Sequence, residues 1–385
     1  MRLAKKITVA YVACLILLAG LMVAVYSIPK ERVEANAWKG VSQLYQEGFY
    51  PAIMGCHLWI LDNATDLVML KEAVNLRDDN PLHDSMLNEF PGFYDDNGYI
   101  YGRYWHGYLV TLRPLLTFMS YNQIRGLTMA LLLLLLCWAS TGVFRRCGRA
   151  YGICFSAVMI VMIVPPVLIS MQYATCFIIT LTAVGLMTSI RKIVSSNDNF
   201  YVFMFIVGIL TVYFDFLTAP VVTLCFPLVI YMATAKSHNS ILTVVGSSLW
   251  WALGYGIFWA TKWVLATSIT GYDFFNDAQN SVALRTGGLY ILTYSKYIII
   301  GCYSLLFAGI LAIWRLRAKM PNAFRYIYLL LIALIPGVWF LVLREHSFHH
   351  FWYTYRAASG SLFATLIYIV KLNASHNRHP HSLPQ

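Results

Sequence analysis

Charge is what this chain has least of. Asp, Glu, Lys and Arg make up 12% of its 385 residues, hydrophobic residues make up 59%, and the mean hydropathy is +0.62. A soluble domain carries about twice that charged fraction. A water-facing body is therefore excluded, and the chain reads as an integral membrane protein with one embedded domain over residues 1–385. Acids are scarcer than bases, 17 against 28. The resulting net charge of +11 does not point to nucleic acid, because the basic residues stand in short clusters at the ends of apolar runs.

Other absences narrow the chemistry. Of the eight cysteines, only Cys56 lies between the first two apolar runs, and no C-x-x-C spacing occurs. A disulfide framework outside the membrane and a zinc knuckle are both excluded. No glycine-rich phosphate loop, H-E-x-x-H or G-x-S-x-G is present, so soluble nucleotide chemistry is not indicated. No internal repeat stands out.

What is abundant is apolar sequence. Runs of spanning length fall at about 7–28, 127–144, 151–170, 173–190, 201–217, 219–234, 241–267, 291–314, 324–343 and 355–370. The expected fold is all-α, a polytopic membrane protein of about ten transmembrane helices. The turns near 171 and 218 are so tight that each pair also reads as one broken or re-entrant element. The basic start, Met1-Arg-Leu-Ala-Lys-Lys6, precedes a run of about twenty residues, which suits a retained signal-anchor. With this end in the cytoplasm, the inside turns hold Arg145, Arg146 and Arg149, Arg191 and Lys192, Lys236, Arg315 to Arg325, and Lys371 and Arg378. Asp198 is the one acid among them. Both termini are then cytoplasmic, with residues 126–373 forming the remaining helices and 374–385 a tail.

The acids gather elsewhere. Twelve of the seventeen lie in residues 29–125, the long first extracytoplasmic loop. A turn between helices needs only a few residues, so this loop is the expected place for chemistry. Val33, Ala37, Val41 and Tyr45 are spaced as one face of an amphipathic helix on the membrane surface. Asp62 or Asn63 suits the cap of a helix running into Leu67-Val-Met-Leu70, with Asp66 in its first turn. The alternative is that Asp62 or Asp66 is presented as a general base. Asn63-Ala-Thr65 also fits a glycosylation sequon. Asp78-Asp79-Asn80 and Asp95-Asp96-Asn97 are turn chemistry first. A divalent cation is the second option for them, and no cofactor is otherwise indicated.

Tyr104, Trp105 and Tyr108 surround Arg103 and His106. Aromatics of this kind anchor a membrane interface. They also stack on sugars, and an Arg beside a His suits a phosphate. Pro114 bends the stretch that follows, and Ser120 is placed to cap the next span. Asp215, at the end of its run, needs a partner or a wet cavity. Lys262, Lys296 and Arg356 are cations on its side. The segment 344–356 holds His346, His349 and His350. The adjacent pair is poor geometry for one metal, so hydrogen bonding is expected, with Arg356 on an anion.

Taken with this organisation, Tyr104-Trp-His-Gly-Tyr-Leu-Val-Thr-Leu-Arg-Pro-Leu-Leu116 resembles the stretch before the second span in the glycosyltransferase C (GT-C) superfamily. The resemblance implies a polytopic enzyme of a bacterial plasma membrane, building cell-surface polysaccharide or wall glycopolymer, with its site facing outside. It implies transfer of a sugar from a polyprenyl-phosphate donor to a glycan acceptor, with inversion. A first-loop carboxylate, one of Glu34, Asp62 and Asp66, would be the base. Arg103, Tyr104, Trp105, His106, Asp215, Lys296, His346, His350 and Arg356 would bind donor and acceptor. Three other classes stay open: a flippase for lipid-linked saccharide, a membrane acyltransferase using a C-terminal histidine, and a non-catalytic assembly protein.

Overall fold

The structure, a computed structural model, describes residues 2–47, 63–74, 104–163, 166–234, 240–287 and 324–376. Among them it is helical throughout, without a strand. The helices are α1 (Arg2–Tyr26), α2 (Lys30–Glu47), α3 (Asn63–Ala73), α4 (Leu109–Leu116), α5 (Tyr121–Cys147), α6 (Arg149–Ile163) and α7 (Met171–Ser189). After them come α8 (Asn197–Phe214), α9 (Val222–Thr234), α10 (Ser240–Thr270), α11 (Phe274–Gly287), α12 (Ile327–Val342) and α13 (Ser359–His376). Short helical turns fill 344–358.

Among the described residues six helical stretches are long and apolar enough to cross a membrane: Leu3–Tyr26, Tyr121–Cys147, Met171–Ser189, Asn197–Phe214, Ile241–Thr270 and Tyr355–Ala374. The run expected at 151–170 is divided. Its helix ends at Ile163, beside prolines that cannot continue the ladder, and a separate turn covers Pro166–Ile169. The run at 291–314 lies outside the described residues.

Apolar runs that look alike in sequence occupy opposite environments. Only 6% of the apolar window of the first span is buried, against 72% in α7. Helix α9 goes further, since every residue from Val222 to Met232 is buried. Its thirteen residues extend roughly 20 Å at 1.5 Å per residue, short of a hydrocarbon core of about 30 Å. It is a central strut, packed by α7, α8, α10, α12 and α13. Being hydrophobic all round, it has no polar face to turn toward water. Helices α8 and α10 cross closely. A methyl group at Gly208 would collide with the Trp251 carbonyl, and one at Gly254 with that of Phe205. Small residues at such a crossing let backbones approach where no hydrophobic effect drives association.

The first loop builds a second, smaller core. Val33, Ala37, Val41 and Leu44 of α2 pack with Leu67 and Leu70 of α3, Leu109 and Leu112 of α4, and Tyr121. Two expectations are corrected here. Tyr45 is exposed and Leu44 takes the inward place. The apolar stripe of α2 also faces protein rather than lipid, because α3 and α4 lie against it. Ser120 does cap α5, in a reciprocal box with Gln123.

The two ends of the bundle differ. Lys6 donates to Asn199 Oδ1 at 2.9 Å, Arg146 Nε to the Thr188 carbonyl at 2.9 Å, and Lys371 lies 5.5 Å from the Tyr326 ring centre. The basic turns thus gather at one end, and the first-loop core sits at the other.

Candidate functional site

The first loop and the last quarter of the chain meet at the N-terminus of α7. Helix starts leave four backbone N–H groups without helical partners. Ser170 caps α7 and its hydroxyl accepts from the Tyr173 N–H at 3.3 Å. Asp66 supplies the other acceptors. Its carboxylate takes the Met171 N–H at 3.0 Å, the Gln172 N–H at 3.1 Å and the Ser170 hydroxyl at 3.3 Å. A short bond from the Tyr121 hydroxyl completes the set. Asp66 is fully buried. Burial pushes its carboxyl above the usual range, and the bonds from Tyr121, Gln172 and Met171 offset only part of that. The carboxylate is a clamp between α3 and α7, with both oxygens engaged by protein.

Two arginines that the sequence reading passed over complete the scaffold. Arg113 is buried in α4 and donates to Val25 O at 2.9 Å, to Ile28 O at 2.8 Å and, in a short bond, to Ala73 O. One guanidinium therefore holds carbonyls at the ends of α1 and α3, where cations suit the helix dipole. Arg125 donates to Glu47 at 2.8 and 3.0 Å and to Asn63 Oδ1 at 3.0 Å, and lies 4.5 Å from the Tyr121 ring centre. Burial works against the Glu47 anion, but hydrogen bonds from Gln43 and Arg125 outweigh it and hold its carboxyl below the usual range. Asn63 is buried in this contact, so Asn63-Ala-Thr65 is not an accessible sequon in this fold. An Arg in an apolar stretch with no acid nearby in sequence was the available signal for both arginines.

Beside the clamp lies an aromatic cluster centred on Phe216. The rings of Tyr104, His106 and Tyr108 stand 5.5, 5.6 and 5.1 Å from it. His106 Nδ1 is 3.0 Å from the Tyr108 hydroxyl, and the Gly107 N–H donates to Tyr213 O at 2.9 Å. Trp105 points into the bundle, donating to Phe258 O at 2.9 Å and stacking on Phe258 at 4.6 Å. Lys262 lies 5.8 Å from its ring centre. Tyr104 stacks on Trp259 at 5.7 Å.

The segment 344–356 packs against this layer. A carbonyl can only accept, so the 2.9 Å contact between His346 Nε2 and Leu217 O places the ring proton on Nε2. The His346 and His350 rings are 4.8 Å apart, and His350 stacks on Tyr353 at 5.2 Å. Arg356 is buried 4.8 Å from the ring centres of both Tyr173 and Tyr355. Asp215 is buried in the same turn and its carboxylate accepts from the Thr218 N–H at 3.0 Å and from the Thr218 hydroxyl. Thr218 is a partner the structure provides for the acid that was expected to need a partner or a wet cavity.

Two residues here have backbone conformations that L side chains rarely adopt. His106 has φ +55° and Leu217 has φ +65°; both flank Phe216 in space or sequence. Each costs of order 1 kcal/mol, and such strain collects at functional sites.

The structure thus brings Asp66, Tyr104, His106, Asp215, His346, His350 and Arg356 to one end of the bundle. Trp105 belongs to the packing beneath them. Glu34 stands apart on α2, half-buried, with Trp38 Nε1 3.4 Å from its carboxylate. Asp62, Arg103 and Lys296 lie outside the described residues, as do the two Asp-Asp-Asn clusters. Among the described residues no three His, Cys, Asp or Glu side chains group as a metal site. No protein-family model matches the chain, and no curated protein or solved structure is significantly similar to it.

Proposed function

We propose that the chain is a membrane glycosyltransferase of the GT-C kind, moving a sugar from a polyprenyl-phosphate donor to a glycan acceptor at the first-loop end of the bundle. The observation that carries the reading is the convergence at α7. An aromatic layer with two strained residues and the buried Arg356 lie beside the Asp66 clamp at that helix N-terminus. Aromatic faces suit sugar rings, and a cation in a low-dielectric site is worth most to a departing phosphate.

In the reaction a carboxylate takes the acceptor hydroxyl proton. The acceptor oxygen then bonds to the anomeric carbon as the bond from that carbon to the phosphate oxygen breaks. Polyprenyl phosphate leaves with the electron pair and the anomeric configuration inverts. Asp66 is committed to α7, so the base is assigned to Asp62, one residue before α3, with Glu34 as the other first-loop candidate. His106 and Arg356 face the leaving phosphate.

Membranes containing the chain, supplied with radiolabelled polyprenyl-phosphate sugar, test this through release of the free carrier phosphate. Asp62→Asn is expected to lower transfer by about 10²-fold or more while the protein remains folded. Asp66→Asn is expected to lower folded yield. Undiminished transfer in both Asp62→Asn and Glu34→Gln would sink the assignment.

A further inference from the structure

A cavity among the described residues lies at the opposite end from Asp66. The N-terminal ends of α5 and α7 meet at Tyr121 and Asp66, and their C-terminal ends meet again around residues 142 and 188. Between those ends opens a cavity of about 430 Å³. Arg145, Arg146 and Arg191 stand around it with Thr188 and Ser189, and among the described residues no carboxylate lines it.

The backbone makes this opening possible. A side chain at Gly142 would collide with the Thr188 hydroxyl, so α5 and α7 touch there. Trp138 lies one turn deeper, against Gly185, where a Cβ would enter its ring. The cavity therefore has an apolar indole wall toward the middle of the helices and a cationic rim toward their ends.

The three arginines are not equivalent. Arg146 is half-buried and donates to the Thr188 carbonyl at 2.9 Å, which occupies it with the end of α7. Arg145 and Arg191 are exposed. Helix C-termini carry partial negative charge, and one arginine on the Thr188 carbonyl answers part of it. Two further guanidiniums, Arg145 and Arg191, line the same concave site, and planar guanidinium donors suit a phosphate group. Charge counting expects this end in the cytoplasm, and basic pockets between spans on that side hold anionic headgroups.

We propose that this cavity is a phosphate-binding site whose ligand is the headgroup of an anionic membrane lipid. The phosphate sits between Arg145 and Arg191, and the glycerol and first methylenes lie along Trp138. The site is separate from the first-loop end and stands whether or not the chain transfers sugar.

Thermal unfolding of the full-length protein in neutral detergent tests this. The additions are phosphatidylglycerol, phosphatidylcholine, or inorganic phosphate at matched ionic strength. Phosphatidylglycerol is expected to raise the midpoint of the wild type by about 3 °C at saturation. In R145Q/R191Q the shift should vanish, and phosphatidylcholine should give none. If inorganic phosphate reproduces the arginine-dependent shift, the phosphate site stands and its source is the free anion rather than lipid. An undiminished phosphatidylglycerol shift in R145Q/R191Q overturns the proposal, as does no shift in the wild type with either anion. R145K/R191K, which keeps charge but not the planar fork, is expected to retain part of the shift. It serves where the glutamine variant does not purify, and there an undiminished shift counts against the fork.

Discussion

The two ends of this bundle use charge in opposite ways. At the first-loop end, charged groups are folded into the protein: Asp66 on the N-terminus of α7, Arg113 on the carbonyl ends of α1 and α3, Arg125 on Glu47. At the other end, Arg145 and Arg191 stand exposed around an open cavity. The first pattern is expensive to disturb, because removing one partner strands the others away from water. The second is inexpensive, because exposed guanidiniums remain hydrated. The contrast teaches that a charge buried with protein partners is tied to the scaffold, while Arg145 and Arg191 stay exposed at the ends of their helices.

That contrast can be broken by substitution. Asp66→Ala leaves two N–H groups and two hydroxyls without their acceptor, and is expected to cost about 3 kcal/mol or more. Thermal unfolding in detergent would read it, and a wild-type midpoint would show the clamp to be idle. Arg113→Met frees three carbonyls and is expected to cost about 3 kcal/mol, with protease sensitivity appearing first at the ends of α1 and α3. His106→Gly sharpens the comparison differently. Glycine accepts φ +55°, so stability should hold to within about 1 kcal/mol, while sugar transfer is lost. A fully active His106→Gly protein would detach the strained residue from function.

The smallest effects lie at the periphery. Glu47 has a lowered carboxyl pKa in the fold, so the stability it lends is present above the ordinary carboxylate pKa. It is lost as pH falls through the lowered folded value. Because the pair is partly exposed, the loss should be about 0.5 kcal/mol, absent in Glu47→Gln. Asp66 runs the other way. Its raised pKa means that rising pH, through the window from the ordinary value to the raised one, weakens its contribution. A pH scan of Glu47→Gln against wild type separates the two. Finally, R145Q/R191Q should unfold within about 0.5 kcal/mol of wild type when no anionic lipid is present.

Much of this was readable from local pattern. The Ser120 capping box, the Val33-Ala37-Val41 stripe and the placement of Asp66 in the first turn of α3 rest on residues a few positions apart. Other features were not readable. The acceptor for the Met171 N–H lies 105 residues away at Asp66, and nothing near either residue announces the other. Arg113 lies in the stretch that Pro114 was expected to bend, yet its bonds reach 88 residues back to Val25. The sequon at Asn63 was legible as a motif and is closed by the burial that Arg125 and Glu47 impose.

Composition and the order of charges determine that this is a helical, membrane-compatible chain whose basic turns alternate with its apolar runs. Those properties are local or additive, so no contact is needed to read them. Tertiary packing decided which apolar helix is central and which faces outward, as α9 and α1 show with similarly hydrophobic sequences. It also decided that Asp66 is a clamp rather than an open base, and that Arg145 and Arg191 line one cavity. Burial and partnership depend on residues far apart in the chain, and such distances become contacts only when the helices close on one another.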